Sequence, residues 1–229
     1  MSSRPALVTG FEPYGGRGSN PAWEAARALD GRSIAGVRIH GRALPVSHAR
    51  LRERAAALLP ELDPVVVIGL GLWPGEPAIR VERFGLNLAD FEIPDNEGAL
   101  VVDEPVGANG PQALPATLPV RRIQRALLAA GIPARLSTSA GTFLCNACLY
   151  SFLEAIETAP RGALCGFLHI PYMPAQVAEI LATAREQRAI ELHQRADLAS
   201  MELATVIRAV EIALELSLEA AAARFGASA

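Results

Sequence analysis

Cys145, Cys148, Cys165 and His169 lie close together in the chain and include all three of its cysteines. Their spacing, C-x2-C-x16-C-x3-H, matches on paper the four ligands of a structural zinc site. The same residues admit three other readings. They can be a redox C-x-x-C pair, buried thiols without chemistry, or a cysteine nucleophile with its base.

Strand geometry weighs against the metal. Cys165 and His169 both fall in "GALCGFLHI", an apolar run that reads as a buried strand. Four steps along a strand span about 13 Å at roughly 3.3 Å per residue. Zinc holds its ligand atoms at about 2.0–2.3 Å, so one ion cannot take both side chains. The redox pair lacks its setting: "CNAC" follows Gly-Thr-Phe-Leu rather than an evident thioredoxin-like βαβ unit. Cys148 and Cys165 read as small buried hydrophobes, which is what most free cysteines are.

Cys145 differs by position. "STSAGTFLCNA" runs from a strand through a glycine-containing turn into a helix. A thiol near a helix start feels the positive end of the macrodipole, which favours thiolate. Backbone N–H groups there lack intrahelical partners and can receive an oxyanion. His169 ends its apolar strand just before "PYMP", whose prolines fix a rigid turn, so it is placed to serve as the base. An imidazole base needs a third group to orient it. Glu82 in "RVERFGLN" is the best carboxylate for that task, and pairing with a nearby arginine would explain it equally well.

The elements that must bring these residues together alternate in type. "ALVTGF" is a strand; Asn20 and Pro21 open a helix over 21–30; "VRIHGRALPV" is strand-like; Ser47 caps a helix ending near Asp63-Pro64. "VVVIGLGL" (65–72) reads as a strand covered on both faces, and 79–93 as probable strand structure before the turn "PDNEG". A helix over 119–130, a strand over 132–140, a helix from 142, a strand over 162–170 and helices over 175–187 and 200–219 follow. This alternation predicts an α/β fold: one domain over 1–229, a three-layer α/β/α sandwich with a twisted, largely parallel or mixed sheet. Sites in such folds gather beyond the carboxyl ends of the strands.

Composition sets bounds on the chemistry. The 229 residues are 51% hydrophobic with a net charge of −3, which argues against disorder and against nucleic acid as a partner. All 21 basic residues are arginine, so no Schiff-base or P-loop lysine is available. No apolar run is long enough to span a membrane, and "MSSRPALVTG" has no signal-peptide character. With an odd number of cysteines, this predicts reduced thiols and a cytoplasmic protein.

Several stretches together resemble one family. "VTGFEPYGG…NPAWE" (8–24), "ERFGLN" (82–87), "IPDNEG" (93–98), "SAGTFLCN" (139–146), "GFLHIPYMPAQ" (166–176) and "SMELATVIRAVEIALE" (200–215) look like pyroglutamyl-peptidase I, in order and over nearly the whole chain. The resemblance implies a cytosolic cysteine peptidase that removes N-terminal pyroglutamate from peptides. It also implies an open α/β/α fold, no metal or organic cofactor, and a homo-oligomer, tetramer or dimer. The family's catalytic Glu, Cys and His fall on Glu82, Cys145 and His169, and its aromatic residues around the lactam ring match Phe11, Tyr14 and Phe143. Tyr14 replaces a commoner Phe. Two departures bear on the pocket wall or the subunit contacts. Leu70 in "GLGLWPGEP" stands opposite a glutamine, supplying apolar contact without an amide, and Asp90-Phe91-Glu92 replaces Asp-Ala-Arg. Two rival readings stay open: a nucleoside-phosphorylase-like enzyme, for which Gly15-Gly16 is a thin phosphate cradle, and a non-catalytic binding paralogue.

Overall fold

A computed structural model describes residues 4–187 and 198–226. The strands β1 (Ala6–Phe11), β4 (Val66–Leu72) and β9 (Leu164–Ile170) are buried at every position, as their unbroken apolar runs require. With β2 (Ser33–Ile34), β3 (Val37–Leu44), β5 (Ile79–Glu82) and β8 (Ala134–Ser137) they form a seven-stranded sheet in the order β2-β3-β1-β4-β9-β5-β8. From β3 to β9 the neighbours are parallel. β5 runs antiparallel to β9, β8 runs parallel to β5, and β2 is antiparallel to β3. The sheet is therefore mixed and largely parallel.

Helices cover both faces. α1 (Pro21–Leu29), α3 (Val120–Ala129) and α6 (Leu203–Phe225) pack with Val66, Ile68 and Leu70 in one apolar core. α2 (His48–Leu62) and α4 (Leu144–Glu157) pack with Val67, Cys165 and Phe167 in the other. α5 (Pro174–Gln187) follows β9. The result is the expected α/β/α layering in a single α/β domain. The expected caps are in place: Asn20 accepts from the Ala22 N–H at 3.0 Å with Pro21 at the first helical position, and Ser47 accepts from the Arg50 N–H at 3.3 Å.

The stretch 79–93 differs from the expectation of continuous strand. β5 stops at Glu82, and β6 (Phe84–Leu86) leaves the main sheet to pair with β7 (Ala113–Pro115) in a separate ribbon. The cause is contact with α4. A Cβ placed on Gly85 would sit 2.9 Å from the Tyr150 backbone, so the chain crosses the helix at a distance that glycine permits. Buried Asn146 locks the crossing: it accepts from the Leu86 N–H at 2.8 Å and donates to the Leu86 and Leu88 carbonyls, each at 2.9 Å. Strand pairing, helix start and crossing are thereby tied into one unit around residues 82 and 145.

Candidate active site

The site lies where the parallel strands end. Phe11 is the last residue of β1, and His169 is the next-to-last of β9. In register, Gly71 of β4 faces His169 on one side, and Arg80 of β5 faces it on the other. Glu82, the last residue of β5, pairs with Phe167. Residues 167 and 169, 80 and 82, and 69 and 71 thus share one face of the sheet, since alternate residues of a strand point the same way. α4 begins on that face at Leu144, which makes Cys145 its second residue. The residue before the helix, Phe143, offers no side-chain acceptor, so no side chain caps the first-turn N–H groups.

His169 and Glu82 meet directly, and Cys145 lines the same cavity as His169. The His169 Nδ1 lies 2.8 Å from Glu82 Oε1, with His169 1% and Glu82 0% exposed. A carboxylate can only accept, so Nδ1 carries the proton and Nε2 is left as the free base. Phe167 and Trp73 flank the imidazole, with ring centroids at 5.0 and 4.8 Å, and fix its plane. The Cys145 thiol rests over β4: a Cβ added to Gly71 would lie 2.5 Å from Sγ, and one added to Gly69 would lie 2.4 Å from the Phe167 ring. The glycines of "GLGL" are what make room for sulfur and ring on this face. Arg80 donates from Nε to the same Glu82 oxygen at 3.0 Å, so Glu82 is bonded both to the imidazole and to an arginine.

The electrostatics correct one expectation. Burial, reinforced by the charge of Glu82, pushes the Cys145 thiol up to about 12 rather than down. Both influences disfavour the charged thiolate. Burial also lowers His169, against the raising effect of its bond to Glu82. The resting pair is therefore a neutral thiol beside a neutral imidazole. Cys148 and Cys165 are wholly buried in the apolar core, as the sequence implied.

Comparison with known proteins covers almost the full length of the chain. The sequence profile of the pyroglutamyl peptidase family matches residues 4–220. The chain belongs to the pyroglutamyl peptidase family. A pyrrolidone-carboxylate peptidase of Chromobacterium violaceum is 42% identical over 215 residues, covering 94% of this chain and 93% of its own. One from Pyrococcus furiosus is 39% identical over 209 residues, covering 91% and 97%. Among solved structures, the pyrrolidone carboxyl peptidase of Thermococcus litoralis superposes with a TM-score of 0.86 at 38% identity, covering 95% of this chain and 94% of that one.

Beside the thiol and imidazole, this family member has a cavity of about 330 Å³. Phe11, Tyr14 and Phe143 line it, and the Tyr14 and Phe143 ring centroids stand 6.5 Å apart. Glu92 also reaches the wall. Leu70 does not. It is 1% exposed on the opposite face of β4, packed with Val66 and Ile68 in the other core, because strand parity turns it away from Gly69 and Gly71. The β4 residues beside the cavity are Leu72 at the strand end and Trp73 just beyond it. Sequence reading missed both, although a position just past the carboxyl end of a central parallel strand is where such folds place ligands.

Proposed function

We propose that this chain is a cysteine exopeptidase that hydrolyses the amide bond after an N-terminal pyroglutamyl residue, through a thioacyl-enzyme on Cys145. The observation that carries the reading is that His169, bonded from behind to buried Glu82, lines one cavity with the Cys145 thiol at an uncapped helix start. Family membership supplies the substrate class, since the relatives are pyrrolidone-carboxylate peptidases.

The neutral resting pair shapes the mechanism. His169 Nε2 takes the thiol proton as sulfur attacks the pyroglutamyl carbonyl, so charge develops during attack rather than before it. First-turn N–H groups of α4 receive the oxyanion. Glu82 stabilises the imidazolium, which then protonates the leaving amine. A water activated by the same imidazole releases pyroglutamate and restores the thiol. No metal or organic cofactor enters any step. The ring to be bound is flat and uncharged, and Phe11, Tyr14 and Phe143 can enclose it without burying a lone charge.

The reading extends to a cytoplasmic setting, to independence from nucleic acid, and to assembly as a homotetramer or dimer. Ile93 at the cavity, with Leu100 and Val102, is an exposed apolar residue of the kind that assembly would cover.

The deciding experiment measures release of a chromogenic amine from pyroglutamyl and prolyl amides. The wild type should cleave the former, and Cys145→Ala should abolish cleavage while remaining folded. Cys148→Ser and Cys165→Ser should keep most of the activity. An inactive wild type would favour the binding-paralogue reading, and equal cleavage of the prolyl amide would show that the lactam carbonyl is not read.

A further inference from the structure

Behind the His169–Glu82 pair lies a charge chain that the reaction as described does not use. Arg80 is 8% exposed and held on all sides. Its Nε donates to Glu82 Oε1 at 3.0 Å, and its Nη2 donates to the Ser137 hydroxyl and the Ser139 carbonyl, each at 2.7 Å. Its guanidinium carbon sits 3.7 Å from the centroid of the Trp73 ring, the same ring that meets His169 edge-on. Its Nη1 lies 3.7 Å from Oε2 of Glu76, whose side chain is 4% exposed and bonds in turn to Arg135 on β8. Arg80 and His169 both use Oε1, and the buried Oε2 of Glu82 has no partner among the described residues. A buried carboxylate with one bare oxygen depends on the positive charge at the other for compensation.

We infer that Arg80 is a positioning residue: it selects the Glu82 oxygen that holds His169, and with Glu76 it sets the pH at which His169 works as a base. The inference rests on the proposed peptidase reading for its kinetic test. The ionisable groups acting on the imidazole are Arg80 and Glu82 from β5 and Glu76 from the β4–β5 connection, with Arg135 acting through Glu76 and Cys145 from α4 lining the same cavity. Burial is the main influence lowering His169; Glu82 raises it, Arg80 lowers it and Glu76 raises it. Removing Arg80 must therefore make His169 easier to protonate, and removing the charge of Glu76 must do the reverse.

The test compares Arg80→Met, Arg80→Lys and Glu76→Gln with wild type, following kcat and KM on a pyroglutamyl amide against pH and titrating the His169 ring by nitrogen NMR. Arg80→Met should lower kcat roughly 10- to 100-fold with little change in KM, as misorientation of a base does. Its acid limb of kcat/KM and its NMR titration should both move to higher pH. Arg80→Lys should keep the limb near its wild-type position while kcat stays low, because lysine restores the charge and not the fork. Glu76→Gln should move the limb to lower pH. If Arg80→Met does not fold, Glu76→Gln and Arg80→Lys decide. A folded Arg80→Met with unshifted profile and titration, or a Glu76→Gln limb that stays or moves upward, overturns the inference. The NMR titration needs no turnover, so an inactive wild type would defeat the peptidase reading and leave this test standing.

Discussion

At the scale of single residues, the candidate reacting groups could be read from the chain and their protonation could not. Cys145 at a helix start, His169 at a strand end and Glu82 in an apolar strand each stand out by residue type and position, and the structure brings them together. The expected thiolate is opposed by burial and by the charge of Glu82, which depend on the whole fold rather than on the local helix start. Packing over Gly71 and the charge of Glu82 act on the thiol from elements distant in the chain, which no local residue pattern reveals. This has a measurable consequence. With the thiol raised to about 12, alkylation of Cys145 by iodoacetamide should keep accelerating from neutral into alkaline pH. It should still outpace Cys148 and Cys165, which are 0% and 1% exposed. Mass mapping of alkylated peptides over a pH series checks both points; a rate already at its plateau at neutral pH would mean a preformed thiolate and a different attack step.

At the scale of elements, the strands that run through the middle of the sheet were legible because both faces are buried, while the short edge and ribbon pieces were not. Ser33–Ile34 and Ala113–Pro115 are too brief to show a period, and β5 and β6 ran together in the reading because nothing local marks where the chain turns across α4. The misplacement of Leu70 has a related origin: a strand's facing is set by its register with neighbours, and one step reverses it. The same parity makes Gly71 a sensitive position. An added methyl would meet Cys145 Sγ at 2.5 Å and the Phe167 ring at 2.9 Å, so Gly71→Ala must displace the thiol or the ring. Hydrolysis should fall by roughly 100-fold, the scale of an ångström of misplacement, with a smaller loss of stability. Leu70→Ala should show the opposite balance, costing about 2–5 kcal/mol in the core with kcat nearly intact. Paired urea melts and kinetics on the two variants separate these outcomes.

At the scale of the whole molecule, the buried ionisable groups fix the pH range of greatest stability. His169 is lowered from 6.5 in the fold, so the unfolded chain binds the extra proton first, and stability is complete above about 6.5 and lost as pH falls. Cys145 is raised from 9.0 to about 12 and Tyr14 from 10.0 to about 12, with Cys148 and Cys165 also raised; their stability is complete below the unfolded values and lost as pH climbs past about 9. Urea midpoints should therefore form a plateau between these limits and decline on both sides, with Cys165→Ala flattening the alkaline decline; a midpoint that rises beyond pH 9 would contradict the buried thiols. The strand order carries a consequence of another kind. β9 is the last strand of the sheet to be synthesised, yet it lies between β4 and β5. Until it emerges from the ribosome, the earlier strands can form only two unjoined pieces, β2-β3-β1-β4 and β5-β8, and β4 and β5 each present an open edge to any strand that passes. One late insertion closes both edges and delivers His169, so the nascent chain gains its completed sheet and its proposed base in the same event.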